Sequence, residues 1–269
     1  METNLEKIAR SLRKEILKMV WQAGSGHIGG SFSSLDLLVA CYFGGFLSFE
    51  SHDPYWPSRD RFVLSNGHVC PALYAVLATA GFFPKEKLKR LRDFQSPLQG
   101  HPSRLALAGI ENSSGPLGQG LSVAVGMALA AKIDQAKWHV YCLTSDAEHN
   151  EGQIWEGVMT AVKYKLDNLT ILVDKNGTQI DGRTDEIMPL GDLAAKYLSF
   201  GFNTLEIDGH RFDQILDGLA SAKRHSRQPT VIIAKTILGK GVSFMEGKPV
   251  WHEGPPTKEE LSRALKELE

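Results

Sequence analysis

SDAEHNEGQIWEGVMTAVKYKLDNLTILVDKNGTQIDG, residues 145–182, sets an acid and an amide, Asp146 and Asn176, thirty positions apart, each just past a run that reads as a buried strand. The first run is His139 to Thr144 and the second Leu169 to Val173, both rich in apolar and β-branched residues, as strands covered on both faces are. Between them Ile154 to Lys165 has helical character. The spacing predicts one βαβ unit, because neighbouring parallel strands need a long crossover, usually through a helix. Asp146 and Asn176 would then stand side by side at the carboxyl ends of adjacent strands, where open parallel sheets bind their ligands.

A hard cation such as Mg²⁺ takes one or two carboxylate or amide oxygens and completes its octahedron with phosphate oxygens and water. Asp146 offers charge and Asn176 a neutral oxygen, while Gly177 permits a sharp turn that can aim the Thr178 carbonyl at the same ion. Asp146, Asn176 and Thr178 are therefore candidate metal ligands, and a metal-bound diphosphate is the candidate occupant. Either side chain alone is more simply an N-cap or an Asn-Gly turn. It is their pairing on adjacent strand ends that favours a metal site.

The chain has 269 residues, 42% hydrophobic and 23% charged, which suits one large α/β domain. Its formal net charge of −1 gives no basic field for nucleic acid or an anionic membrane, so an anionic ligand has to be held locally. Met1 to Trp21 mixes charged and apolar residues as an amphipathic helix does, and is no signal peptide. No apolar run approaches a membrane span. Cys41, Cys70 and Cys142 form no CxxC pair, which points to reduced thiols, a cytoplasmic setting and no structural zinc.

Along the chain, Ala23 to Ser31 reads as a Gly-rich loop, with Ser33, Ser34 or Asp36 placed to cap a helix through Tyr42. Arg61 to Ser65 reads as a strand, Asn66-Gly67-His68 as a turn and Pro71 to Ala80 as a helix. A charged surface helix is expected over Pro84 to Phe94, then a long irregular stretch to Gly115 of the kind that tends to be functional. Gly118 to Lys132 reads as a helix, Asn203 to Ile207 and Thr230 to Ala234 as strands, and Asp213 to Arg224 as the helix between them. Residues 1–235 form the expected binding domain. Residues 236–269 are an extension, irregular to Pro256 and then a short helix from Lys258 to Leu268.

His27, His68, His101 and His210 each follow a glycine, which suits close approach to a ligand; His52, His139, His149 and His225 lack that context and read as surface or structural. Imidazoles around one pocket can bind hydroxyls and move protons near neutral pH. Gly115-Pro116-Leu117-Gly118-Gln119-Gly120 fits neither a dinucleotide fingerprint nor a P-loop, and reads instead as backbone approaching a flat ring at the mouth of a helix.

Together these segments resemble the N-terminal, diphosphate-binding half of transketolase, a thiamine diphosphate enzyme, over nearly the whole chain. The residues that carry the likeness are Gly24-Ser25-Gly26-His27, Arg59 to His68, Gly100-His101-Pro102, Gly115 to Gly120, Asp146 with Glu151-Gly152, Asn176, Ile180-Asp181-Gly182, Asp208-Gly209-His210 and Trp251-His252. The resemblance implies an α/β thiamine diphosphate-binding fold, a mainly parallel sheet with helices on both faces. By it, Asp146, Asn176 and the Thr178 carbonyl hold Mg²⁺ or Ca²⁺, while His68, the Ala147 amide, Asn176 and His252 contact the diphosphate. Gly115, Pro116 and Leu117 meet the aminopyrimidine, and Glu151 matches an acidic position near the subunit interface, counted with the cofactor contacts. His27, His101 and His252 line the substrate channel as catalytic residues, and Lys240 lies in a mobile stretch near it.

Two departures from the family pattern matter. Ser145-Asp146-Ala147 stands where family members have Gly-Asp-Gly, so a backbone with positive φ, or a very tight approach, is harder at Ala147. The chain also stops before the pyrimidine-binding and C-terminal domains of a full transketolase. The resemblance therefore implies the N-terminal subunit of a split enzyme of pentose phosphate metabolism, active on sugar phosphates only with a C-terminal partner. It also implies self-association and a heterotetramer. Alternatives are a related ketol or acyl transferase on an unusual sugar, such as a branched or deoxy ketose, and a non-catalytic cofactor-binding subunit.

Overall fold

A computed structural model of the chain describes residues 2–225 and 227–269. Helix α1 (Asn4–Ala23) opens with a capping box in which the Thr3 hydroxyl accepts from the Glu6 amide and the Glu6 carboxylate from the Thr3 amide. It ends at Gly24, whose φ of 64° closes the helix as a left-handed cap. Met1, which the sequence assigns to this helix, lies outside the described residues. Helix α2 (Ile28–Phe43) is buried from Ile28 to Tyr42, the pattern of a central core helix.

After β1 (Arg61–Leu64) and α3 (Cys70–Thr79) come α4 (Gln119–Ile133), β2 (Val140–Ser145), α5 (Gly152–Lys163) and β3 (Leu169–Lys175). A two-residue hairpin, β4 (Thr178–Gln179) with β5 (Gly182–Arg183), leads into α6 (Thr184–Ile187) and α7 (Leu193–Phe200). The chain then adds β6 (Asn203–Asp208), α8 (Phe212–Arg224), β7 (Thr230–Lys235) and α9 (Lys258–Glu267). The five long strands form one parallel sheet in the order β1-β2-β3-β7-β6.

Successive strand residues point to opposite faces, and the core divides accordingly. Tyr141, Leu143 and Leu172 join one apolar cluster with α1, α2, α3, α8 and α9. Val140, Cys142, Ile171 and Val173 join the other with α4, α5 and α7. Helices on both faces explain why β2 and β3 read as continuous apolar runs. No helix among the described residues is long and apolar enough to cross a membrane.

Two local expectations are corrected. Over 84–94 only a 3₁₀ segment, Lys85–Arg90, forms; Leu88 and Leu91 are buried in the core but Phe94 is exposed, so the apolar face extends over a single turn, too short to hold a full α-helix against the core. Helix α2 begins at Ile28 with His27 at its cap, inside the expected loop, so Ser33, Ser34 and Asp36 are helical residues, not caps. Their polar groups satisfy buried acids and bases instead: both serine hydroxyls donate to Asp174, and Asp36 pairs with Arg13.

Candidate functional site

The crossover from β2 through α5 to β3 brings the two predicted strand ends together. Ser145 and Asp174 are partners in the parallel ladder, and the Asp146 amide donates to the Asp174 carbonyl at 3.1 Å. The Asp146 carboxylate is buried and accepts from the Ala147 N–H at 2.9 Å and from the Gly177 N–H at 2.8 Å, so it bonds directly to the loop carrying Asn176. Gly177 has a φ of 70°, the left-handed turn expected of it. The Asn176 amide is fixed at both ends: its oxygen accepts from the Thr178 N–H at 3.0 Å, and its nitrogen donates to Asp174 and to Ser33 Oγ, each at 3.2 Å.

Asp174 was not singled out in the sequence. It is fully buried and accepts from the Ser33 hydroxyl at 2.6 Å, the Ser34 hydroxyl at 2.7 Å, Thr236 Oγ1 and the Asn176 amide, tying α2, β3 and the end of β7 into one polar knot. Burial, and then the charge of Asp174, push the Asp146 carboxyl up to about 7. Two acids in so small a buried space, with amide and carbonyl oxygens beside them, are an all-oxygen donor set that fits a hard divalent cation, whose charge would keep the acids ionised. Among the described residues no group of three His, Cys, Asp or Glu side chains could hold a metal alone. A cation here would draw its remaining ligands from amide, carbonyl and phosphate oxygens.

Beside this knot lies a cavity of about 390 Å³ lined by His27, His68, His101, His252, Asn66, Gly115, Leu117, Ala147, Glu151, Asp174, Asn176 and Thr178. Asp146 and Pro116 are not among its walls, Asp146 because it is buried behind Ser145 and Ala147. Three of the imidazoles touch: the His27 ring lies 5.0 Å from His68 and 5.7 Å from His252, and His68 lies 5.6 Å from His252. They come from far apart in the chain: His27 caps α2, His68 sits in the 3₁₀ turn after β1, and His252 follows the turn Pro249–Trp251. Gly29 allows that last approach, since a Cβ there would meet the Trp251 carbonyl oxygen at 2.5 Å. The Gly254 N–H donating to the Gly26 carbonyl at 2.8 Å holds it.

Burial keeps these rings neutral at physiological pH: His27 is lowered to about 4 and His68 to about 3, with repulsion from neighbouring imidazoles adding to burial, while burial and then Arg92 hold His101, and burial holds His252, below the usual histidine value. Nδ1 of His27, Nδ1 of His252 and both polar atoms of the Asn66 amide are buried without a protein partner. Buried polar groups are nearly always bonded, and these three residues all face the cavity.

His210, grouped with the other Gly-His residues, is elsewhere: Nδ1 bonds Asp36 at 2.7 Å and Nε2 accepts from the Ile237 N–H, a structural role. His139 and His149 are buried and bonded, to Thr170 and to Ser145 with Tyr197. Glu148, also missed, is buried. Its carboxylate accepts from the Ser65 hydroxyl at 2.5 Å, the Gly118 N–H at 2.7 Å and the Ser145 N–H at 3.2 Å, joining the ends of β1 and β2 to the start of α4. Ala147 lies in the 3₁₀ turn Ala147–Asn150 and is not among the residues of positive φ, so the alanine needs no strained backbone. Glu253, close to His27 Nε2 at 3.5 Å, escaped notice because it follows a histidine in an irregular segment.

The sequence model of the family described as "Transketolase, thiamine diphosphate binding domain" matches residues 5–268. A protein named as an apulose-4-phosphate transketolase subunit, from Phocaeicola vulgatus, is 41% identical over 264 residues, 98% of this chain and 93% of that protein. One named "6-deoxy-6-sulfo-D-fructose transketolase subunit SqwG", from a Clostridium species, is 43% identical over 268 residues, 100% of this chain and 97% of that protein. The solved transketolase of Campylobacter jejuni superposes with a TM-score of 0.93 at 33% identity, covering 100% of this chain and 43% of that chain.

Proposed function

The chain belongs to the transketolase family, whose thiamine diphosphate-binding domain it carries, and from that premise we propose that it is the N-terminal subunit of a split transketolase. The complete enzyme would move a two-carbon ketol unit from a ketose phosphate to an aldose phosphate. A C-terminal partner chain would supply the pyrimidine-binding and C-terminal domains. The two relatives that align along almost their whole length, both named as subunits, support this division. The chain spans 43% of the length of the solved Campylobacter jejuni transketolase chain. Helices α4 and α5 expose Val123, Ile133 and Met159, apolar surface suited to self-association and hence to a heterotetramer. Within the chain, residues 1–235 would be the binding domain and 236–269 the extension that delivers His252.

Asp146, Asn176 and the Thr178 carbonyl would hold Mg²⁺ or Ca²⁺, and His68, the Ala147 N–H, Asn176 and His252 would hold the diphosphate. Gly115, Pro116 and Leu117 would meet the aminopyrimidine, with Glu151 beside them. Thiamine diphosphate, when bound, supplies the electron sink for breaking and re-forming a carbon–carbon bond. The imidazoles of His27, His101 and His252 would orient sugar hydroxyls and exchange protons with them. Neutral rings suit this work, because each can accept at one nitrogen and donate at the other. Nδ1 of His27 and of His252 has no protein partner and is left for a substrate hydroxyl, while at His27 the Glu253 carboxylate 3.5 Å from Nε2 favours the tautomer protonated there.

The observation that carries the reading is the bond from the loop of one strand end to the acid of the next, Gly177 N–H to Asp146, at the edge of a cavity walled by four histidines. The test is reconstitution. The pure chain should show negligible transfer of a glycolaldehyde unit, and activity should appear when the partner chain is added; robust transfer by the chain alone would contradict the proposal. As to the sugar, one relative is named for a phosphate ester and the other for a 6-deoxy-6-sulfo ketose. This supports the unusual-sugar form of the reading over the common pentose phosphates, and a panel of ketose donors offered to the reconstituted pair would decide it.

A further inference from the structure

Glu148 is an acid to which the chemistry above gives no task. It is fully enclosed, yet no Lys, Arg or His among the described residues forms an ion pair with it, and buried acids are rare without such a partner. Three donors hold it instead. Oε1 accepts from the Ser65 hydroxyl at 2.5 Å and from the Gly118 N–H at 2.7 Å, and Oε2 from the Ser145 N–H at 3.2 Å. A carboxylate satisfies all three at once, because both of its oxygens are acceptors. Gly118 is the N-cap of α4, so the negative charge also meets the positive end of that helix.

The donors come from three stretches far apart in the chain, and each abuts a wall of the histidine cavity. Ser65 precedes Asn66, Gly118 follows Leu117, and Ser145 is itself a lining residue beside Asp146. The stretch from Gly115 to Gly118 depends most on this anchor. Ser114, just before it, is fastened by its hydroxyl to the Leu64 carbonyl. The N–H groups of Gly115 and Leu117 make no bond to protein among the described residues, and Pro116 has none to offer. Gly118 has a φ of 81° and no side chain with which to cap α4. Its N–H bonding to Glu148 is therefore what fixes where the loop enters the helix. A Cβ at Gly118 would meet Glu151 Cβ at 2.9 Å, so the fit there leaves no slack.

We propose that Glu148 is a positioning residue, setting the Gly115–Leu117 loop against the ring end of the cofactor while Asp146 and Asn176 secure the diphosphate end. The inference rests on the cofactor contacts proposed above, and its test therefore includes a measurement made without cofactor. Different groups hold the two ends. The Asp146 carboxylate bonds the Ala147 and Gly177 N–H groups, and Glu148 reaches that knot only through its longest bond, to the Ser145 N–H. Loss of the acid should thus loosen the ring end first.

In the reconstituted complex with Mg²⁺, calorimetry would compare thiamine diphosphate with inorganic pyrophosphate, which carries the diphosphate end alone. Glu148→Gln keeps the shape of the side chain but loses its charge and sets an NH₂ against one of the donors. It should weaken thiamine diphosphate by about 10-fold or more, the scale of one lost charge-assisted bond, and leave pyrophosphate within about threefold. With no ligand present, hydrogen exchange over residues 113–118 should quicken in the same variant while residues 175–180 exchange as in the wild type. Parallel weakening of both ligands, exchange that quickens throughout, or failure of the variant to assemble would assign Glu148 a merely structural role, and unchanged thiamine diphosphate binding would show that the loop holds itself; each of these results overturns the proposal. If the wild-type complex binds no thiamine diphosphate, the proposed function fails, and the exchange comparison still decides whether Glu148 fixes the loop.

Discussion

At the residue scale the site separates into groups that touch the ligands and groups that aim them. His101 lies on a cavity wall away from the acid knot, so His101→Ala should lower turnover of the reconstituted complex by about 100-fold or more while leaving retention of thiamine diphosphate near normal. Steady-state rates set beside a cofactor-retention assay check this, and parallel loss of both would move His101 into the binding site. Asp146, Asn176 and the histidines could be picked out in the sequence because acid, amide and imidazole stand at predicted strand ends or beside glycines. Asp174 and Glu148 could not, since what makes them matter is burial among donors from α2, β7 and α4, segments remote in sequence. One signal was present: an acid closing an otherwise apolar parallel strand, as Asp174 does, has to find donors somewhere.

At the element scale α4 offers a controlled comparison between two of its glycines. A Cβ at Gly120 would meet Ser65 Cα at 2.5 Å, backbone that cannot move aside, whereas one at Gly126 meets nothing within 4 Å. Gly126→Ala should stabilise the fold by about 0.5–1 kcal/mol through helix propensity. Gly120→Ala gains the same propensity but forces the helix off the end of β1, and should cost about 1–3 kcal/mol net. Denaturant midpoints of the two variants check the pair, and a neutral Gly120→Ala would contradict the packing. The parallel βαβ unit was legible in the sequence because both faces of its strands are covered and leave long apolar runs. The helix expected over 84–94 was not real, because charge pattern alone does not show how far a segment's buried face extends.

At the scale of the whole molecule, histidines buried as neutral groups tie stability to pH. The cleanest case is His139, remote from the strand-end acids, buried against Tyr141 and bonded to Thr170. Burial first, then the nearby Lys223 charge, lowers its pKa from 6.5 to about 3. A base whose folded pKa is depressed contributes fully above its unfolded value, and that contribution is lost as the pH falls from 6.5 towards 3, by up to about 1.4 kcal/mol per pH unit. Unfolding free energies of His139→Gln should therefore fall less steeply than those of the wild type over that window. Parallel curves would show that His139 is charged, or free of its burial cost, in the folded chain.

The most direct test of the account is a calorimetric titration of thiamine diphosphate into the reconstituted complex in Mg²⁺, comparing the wild type with Asp146→Ala. One saturable site per chain is predicted for the wild type, abolished by chelating the metal and absent in the variant even though the complex stays folded. Undiminished binding by Asp146→Ala, or wild-type binding indifferent to metal, would contradict the claim that the acid and amide at neighbouring strand ends grip a cation that anchors the diphosphate.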